Sequence, residues 1–198
     1  MENPIAARLA GLREQIARCE KEYGRASGSV QMIAVSKTQP ASALRAAHAA
    51  GQRHFGENYL QEALAKQDAL ADLPGLVWHF IGPLQSNKTR PVAERFDWVH
   101  SVDRLKIARR LGEQRPAQRG PLNVLLQLNL SGEASKAGAS PAEAPALARE
   151  IASLPGLVLR GLMCIPAPSA DPQTQRAVFG RLRALRDTLQ AEGLVDCR

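Results

Sequence analysis

Apolar positions near the start of the chain recur at helical spacing: Ile5, Leu9, Leu12 and Ile16 fall on one face, and Pro4 is acceptable in a first turn. That spacing predicts an opening helix over 4–23. Beyond it the pattern changes to short apolar runs, each followed by helical periodicity. The runs end in AVSK at Lys37, RHFG at Gly56, VWHFIG at Gly82, FDWVHS at Ser101, NVLLQLNL at Leu130 and LVLRGLM at Met163. Helical patterns follow them over 40–50, 57–72, 86–95, 103–114, 141–153 and from about 172 to 192. No low-complexity stretch or linker interrupts the alternation, so a single domain over 1–198 is expected.

Successive strand–helix units require parallel strands joined by helical crossovers, which makes the fold class α/β. A doubly wound open sheet and a (β/α) TIM-type barrel both satisfy the pattern. The first strand lacks the G-x-G-x-x-G turn of dinucleotide-binding sheets. Polar groups recur instead at strand ends: Ser36 and Lys37, Glu57 and Asn58, His79, His100 and Ser101, Asn129. Functional groups at the C-terminal ends of many strands are what a barrel offers, and they favour it. A complete eight-unit barrel takes about 250 residues. The 198 residues here hold about six of the eight units, so the expectation is a barrel truncated at the C-terminus, without its last two strands.

Composition adds limits more than detail. The chain is 44% hydrophobic and 23% charged, as globular domains are, and with 4% aromatics its core must be filled by Leu, Ala, Val and Ile. A net charge of +7 raises the question of an anionic partner, and a basic RNA-binding module is one answer. The positive residues alternate with Glu and Asp along the helices, which reads as solvated faces, so no nucleic-acid partner is expected. Cys19, Cys164 and Cys197 have neither metal-type nor redox-type spacing and read as reduced thiols. The charged N-terminus does not resemble a signal peptide, and no apolar run approaches the roughly 20 residues of a membrane span. A cytoplasmic location, away from membranes, is expected.

Lys37 raises the chemical question. Alternation along the first strand puts Val35 and Lys37 on one face, with the amine at the mouth of a barrel. Loss of hydration there would free a neutral nucleophile able to condense with an aldehyde. A lysine that merely reaches from a strand end to water accounts equally for the position. Glu57 is expected to begin a helix with Leu60 and Leu64 facing inward, and Asn58 in its first turn reads as a ligand contact or an ordinary cap. His79 and Ile81 share a strand face, and Ser86-Asn87-Lys88 opens the next helix as an anion site or as capping residues. The loop after the fifth strand carries Lys136, and Met163 ends the sixth strand as a ring contact or as core filling. His54, His79 and His100 lie near strand ends without ligand spacing, so no metal is expected.

The segments AVSKTQP, GQRHFGENYLQEA, WHFIGPLQSNKTR, LNVLLQLNLSGEASKAG and LRGLMCIPAP, in that order from about Val30 to Pro168, resemble the pyridoxal phosphate homeostasis proteins. That family carries pyridoxal 5'-phosphate on a single-domain barrel of fold-type III, similar to the N-terminal domain of alanine racemase. The resemblance implies that Lys37 forms a Schiff base with the cofactor. It implies that Asn58 and His79 line the pocket, that Val35, Ile81 and Met163 are apolar neighbours of the ring, and that Lys136 is a secondary contact. It places the phosphate-holding stretches of the family in strands that would follow Arg198.

The implied role is a carrier that holds the cofactor and limits free aldehyde, with no established catalytic residue or turnover. Apo-enzymes that use pyridoxal phosphate are its further implied partners, and a monomer or weak dimer is expected. A racemase or lyase is the alternative. Such an enzyme needs a second acid–base group on the opposite face of the cofactor, and Tyr23 and Tyr59 both fall in helical patterns.

Overall fold

The computed structural model describes residues 4–131 and 137–197. Its helices are α1 (Pro4–Glu22), α2 (Ala41–Ala49), α3 (Leu60–Ala69), α4 (Thr89–Arg95), α5 (Leu105–Gln114), α6 (Ala144–Ala152) and α7 (Pro172–Ala191). Its strands are β1 (Ala34–Val35), β2 (His54–Glu57), β3 (Val77–Phe80), β4 (Trp98–Val102), β5 (Leu122–Leu128) and β6 (Leu157–Cys164). They follow one another in sequence order along one sheet, and each pair whose register is resolved is parallel. The alternation expected from the apolar runs is therefore present. The chain divides into two compact units, Met1–Trp78 and His79–Arg198.

In the first unit α1 buries Leu9, α2 buries Leu44 and Ala47, and Phe55 of β2 meets Trp78 with ring centroids 6.0 Å apart. The loop after α1 is tied by one carboxylate: Glu20 accepts from the backbone N–H groups of Gly28 at 2.9 Å and Val30 at 2.8 Å. Those donors hold Glu20 below the usual carboxylate range. The unit departs from expectation at β1 and β2. The apolar run from Met32 yields a strand of only Ala34–Val35, so Lys37 lies two residues beyond it in a turn. Glu57 closes β2 rather than starting a helix, and it is completely buried. On α3 the buried face is Ala63, Lys66 and Gln67, while Leu60 and Leu64 are half-buried.

In the second unit β5 supplies the central apolar row: Leu122, Val124, Leu126 and Leu128 alternate along the strand and are almost fully enclosed. Ile107, Ala108 and Leu111 of α5 and Ala144, Ala148 and Ile151 of α6 are enclosed as well. The register between β5 and β6 shifts after Val124. Arg160 at the shift donates to Asn123 Oδ1 at 2.7 Å and to Asp196 Oδ2 at 2.6 Å. Asp171 caps α7 by accepting from the N–H groups of Gln173 and Thr174, ahead of Pro172 at its first position.

Backbone meets backbone where α5 passes the turn into β6. A Cβ on Gly112 would lie 2.6 Å from the Pro155 carbonyl oxygen, and one on Gly156 would lie 2.8 Å from the Gly112 carbonyl oxygen. Gly156 is also left-handed, with φ +77. Gly156→Ala is expected to destabilise the chain by about 2–3 kcal/mol in urea unfolding, from strain and overpacking together. Gly120 has nothing within 4 Å but combines φ +64 with ψ −177, a region open essentially to glycine alone, so Gly120→Ala is expected to cost about 1–3 kcal/mol from backbone strain without overpacking.

Candidate functional site

Lys37 occupies an exposed turn immediately after β1, not the buried strand face expected for it. Among the described residues no hydrogen bond or ion pair engages its ammonium group. Val35 is also exposed, at 53%. The parallel register aligns Ala34 with Phe55 and Val35 with Gly56. One step on, Ser36 donates its N–H to Gly56 O at 2.9 Å and its hydroxyl to Glu57 Oε1 at 2.6 Å. The chain thus leaves β1 at Lys37 beside the point where it leaves β2 at Asn58. Asn58 lies between β2 and α3, and its Oδ1 is buried without a hydrogen-bond partner among the described residues. It does not cap α3, whose N-cap is Tyr59.

The turn that carries Lys37 is fixed by a buried ionic group that sequence reading missed. Lys66 Nζ donates to Ser36 O at 2.6 Å, to Glu57 Oε1 at 2.8 Å and to Glu62. Glu62 Oε1 in turn accepts from Thr38 N at 2.6 Å. The Lys66 ammonium, helped by the Thr38 amide, holds Glu62 below the usual carboxylate range. Glu62 and Lys66 stand four residues apart on α3, a spacing that ordinarily marks a solvated surface pair. Nothing in that spacing separates a buried pair from an exposed one.

In the second unit His79 is buried in β3, and its Nδ1 lies 2.9 Å from His100 Nε2. The two imidazoles share this contact by one donating and the other accepting. His79 also stacks on Trp98 with centroids 5.7 Å apart. Ile81 follows the end of β3 and is half-buried. Met163 is half-buried in β6, level with Gln127 of β5. Ser86 forms part of a short 3-10 turn ahead of α4, where its carbonyl accepts from Thr89 Oγ1 at 3.0 Å; its hydroxyl caps nothing. Lys136 lies outside the described residues. Among those residues no three His, Cys, Asp or Glu side chains group to hold a metal ion, and no helix is long and apolar enough to cross a membrane. Cys19, Cys164 and Cys197 are free thiols, and burial pushes Cys164 up.

Burial pushes the His100 imidazole down to about 4. His100 therefore stays neutral in the fold between that value and its ordinary 6.5, while the unfolded chain takes up a proton. Stability falls as pH drops through this window and recovers as pH rises through it. Unfolding free energy is expected to be lower by about 2 kcal/mol at pH 5 than at pH 7 from this group. His100→Gln should remove most of that difference in urea titrations at the two pH values.

The alanine racemase N-terminal domain model matches residues 8–198. The pyridoxal phosphate homeostasis protein of Pseudomonas aeruginosa is 62% identical over 181 residues, spanning 91% of this chain and 78% of that protein. The chain belongs to the pyridoxal phosphate homeostasis protein family. Its Escherichia coli K12 member is 54% identical over 171 residues, spanning 85% of this chain and 73% of its own. The solved structure of PipY from Synechococcus elongatus PCC7942 without pyridoxal phosphate superposes with a TM-score of 0.85 at 42% identity, covering 97% of this chain and 85% of PipY. The same protein solved with pyridoxal phosphate bound gives 0.83 at 41% identity. The fold is accordingly the TIM-type α/β fold of the alanine racemase N-terminal domain.

Proposed function

We propose that this protein binds pyridoxal 5'-phosphate as a Schiff base on Lys37 and serves cofactor homeostasis as a carrier without turnover of its own. The observation that carries the proposal is a fixed turn that presents Lys37 as an exposed, unengaged amine in a chain of this family. PipY, solved with pyridoxal phosphate bound, supports it from outside. When bound, the cofactor supplies an aldehyde that a neutral amine captures reversibly, forming a C=N bond and releasing one water. Lys37 provides the amine. Asn58 Oδ1 is an acceptor left open at the same level, which fits a ligand with a hydroxyl beside its aldehyde. The exposed turn supports exchange of the bound cofactor with solvent and with apo-enzymes.

The test is to incubate the protein with pyridoxal 5'-phosphate, reduce with borohydride and map the modified peptide. The expected result is a visible band that borohydride removes, with the label on Lys37. A label spread over surface lysines would refute the assignment. Addition of L-alanine is expected to exchange the cofactor without forming D-alanine, and D-alanine would place the protein among the racemases instead.

A further inference from the structure

We infer that Glu62 and Lys66 are positioning residues for Lys37, gripping the peptide groups on both sides of it; this rests on the proposed role of Lys37. Lys66 donates to the carbonyl of Ser36, the residue before Lys37, and Glu62 accepts from the amide of Thr38, the residue after it. Both grips come from one turn of α3, and the ion pair between them joins the two. The far end of the group is anchored in the sheet, because Lys66 also meets Glu57, which is fully buried at the end of β2. The Lys37 side chain itself is exposed, with no hydrogen bond or ion pair among the described residues.

Thr38 is what makes this more than an ordinary buried ion pair. It adopts φ +63, and it is the only described residue other than glycine with a positive φ. A β-branched side chain is costly in that conformation, of order 1–2 kcal/mol, and it persists only where the surroundings over-determine it. The hydrogen bond from the Thr38 amide to Glu62 is the visible constraint. A group serving the fold alone would need no strained residue next to the reactive lysine. With the backbone set on both flanks, the amine starts its search from one conformation instead of many, and capture of the aldehyde is faster.

Glu62→Ala removes one grip at a partly exposed position, with the Glu62 side chain 30% accessible, so the fold survives the change. Glu62→Gln keeps an oxygen that accepts from Thr38 N–H. The rate of appearance of the borohydride-sensitive band after mixing with pyridoxal 5'-phosphate is measured for both variants, alongside the thermal midpoint and the Thr38 amide resonance. Glu62→Ala is expected to slow band formation about tenfold and to shift the Thr38 amide, while Glu62→Gln stays within about twofold of the unmodified rate. A purely structural pair would lower the thermal midpoint and leave the rate of the folded protein unchanged. Band formation at the unmodified rate in Glu62→Ala, with the Thr38 resonance shifted, overturns the positioning role and leaves the Lys37 assignment standing. Absence of any Lys37 band in the unmodified protein overturns both.

Discussion

Lys37→Ala is expected to abolish the borohydride-sensitive absorbance completely while leaving the fold intact. The side chain is exposed and supports no described hydrogen bond or ion pair, so truncation falls among surface substitutions that move stability by less than about 0.5 kcal/mol. Loss of the band is complete because the neighbouring amine cannot take over. Lys66 reaches the same turn, yet its Nζ is buried and already donates to Ser36 O, Glu57 and Glu62. Freeing it would strand the fully buried Glu57 carboxylate. An amine already engaged with three acceptors is not available to attack an aldehyde. The check is a spectrum before and after reduction, with circular dichroism and a melting curve as controls for the fold. A residual band that maps to Lys66 would show that the buried group is looser than its hydrogen bonds imply.

The order of elements was legible in the sequence because each apolar run is bounded by helical periodicity. The expected helices at 40–50, 103–114 and 141–153 correspond to α2, α5 and α6 with small shifts at their ends. Lys37 could be singled out because a lysine closing an apolar run conflicts with burial. Its surroundings could not be read, for a physical reason. Glu57, Glu62 and Lys66 each look like normal surface residues of a capped helix, and only the parallel alignment of β1 with β2 brings Ser36, Glu57 and Lys66 together. The His79–His100 contact was hidden in the same way. It follows from the register that places His79 beside Trp98, two residues before His100, and no spacing within either run discloses it. Periodicity reports which face of an element is apolar; it is silent on which polar residues of separate elements share that interior.

Lys66→Met should be among the most destabilising single changes in the first unit, at about 3–5 kcal/mol, the cost of breaking a buried pair by removing one partner. Methionine keeps most of the volume, so the loss is electrostatic more than steric. Glu57 would remain completely buried with only the Ser36 hydroxyl as donor on Oε1, and its Oε2 already lacks a partner among the described residues. Ser36 O would keep the bond from Gln39 N at 3.0 Å but lose the one from Lys66, and Glu62 would keep Thr38. Total stabilities of domains this size are about 5–15 kcal/mol, so the variant should be partly unfolded well below the midpoint of the parent. Glu57→Gln in the same background removes the stranded charge and should restore about half or more of the loss, since a buried pair replaced as a pair is often neutral. Urea unfolding of the two single variants and the double variant forms a cycle whose coupling measures the pair directly. Additive effects would mean that the ammonium and the Glu57 carboxylate are stabilised independently, and that Ser36 and Glu62, not Glu57, are what keep Lys66 in place.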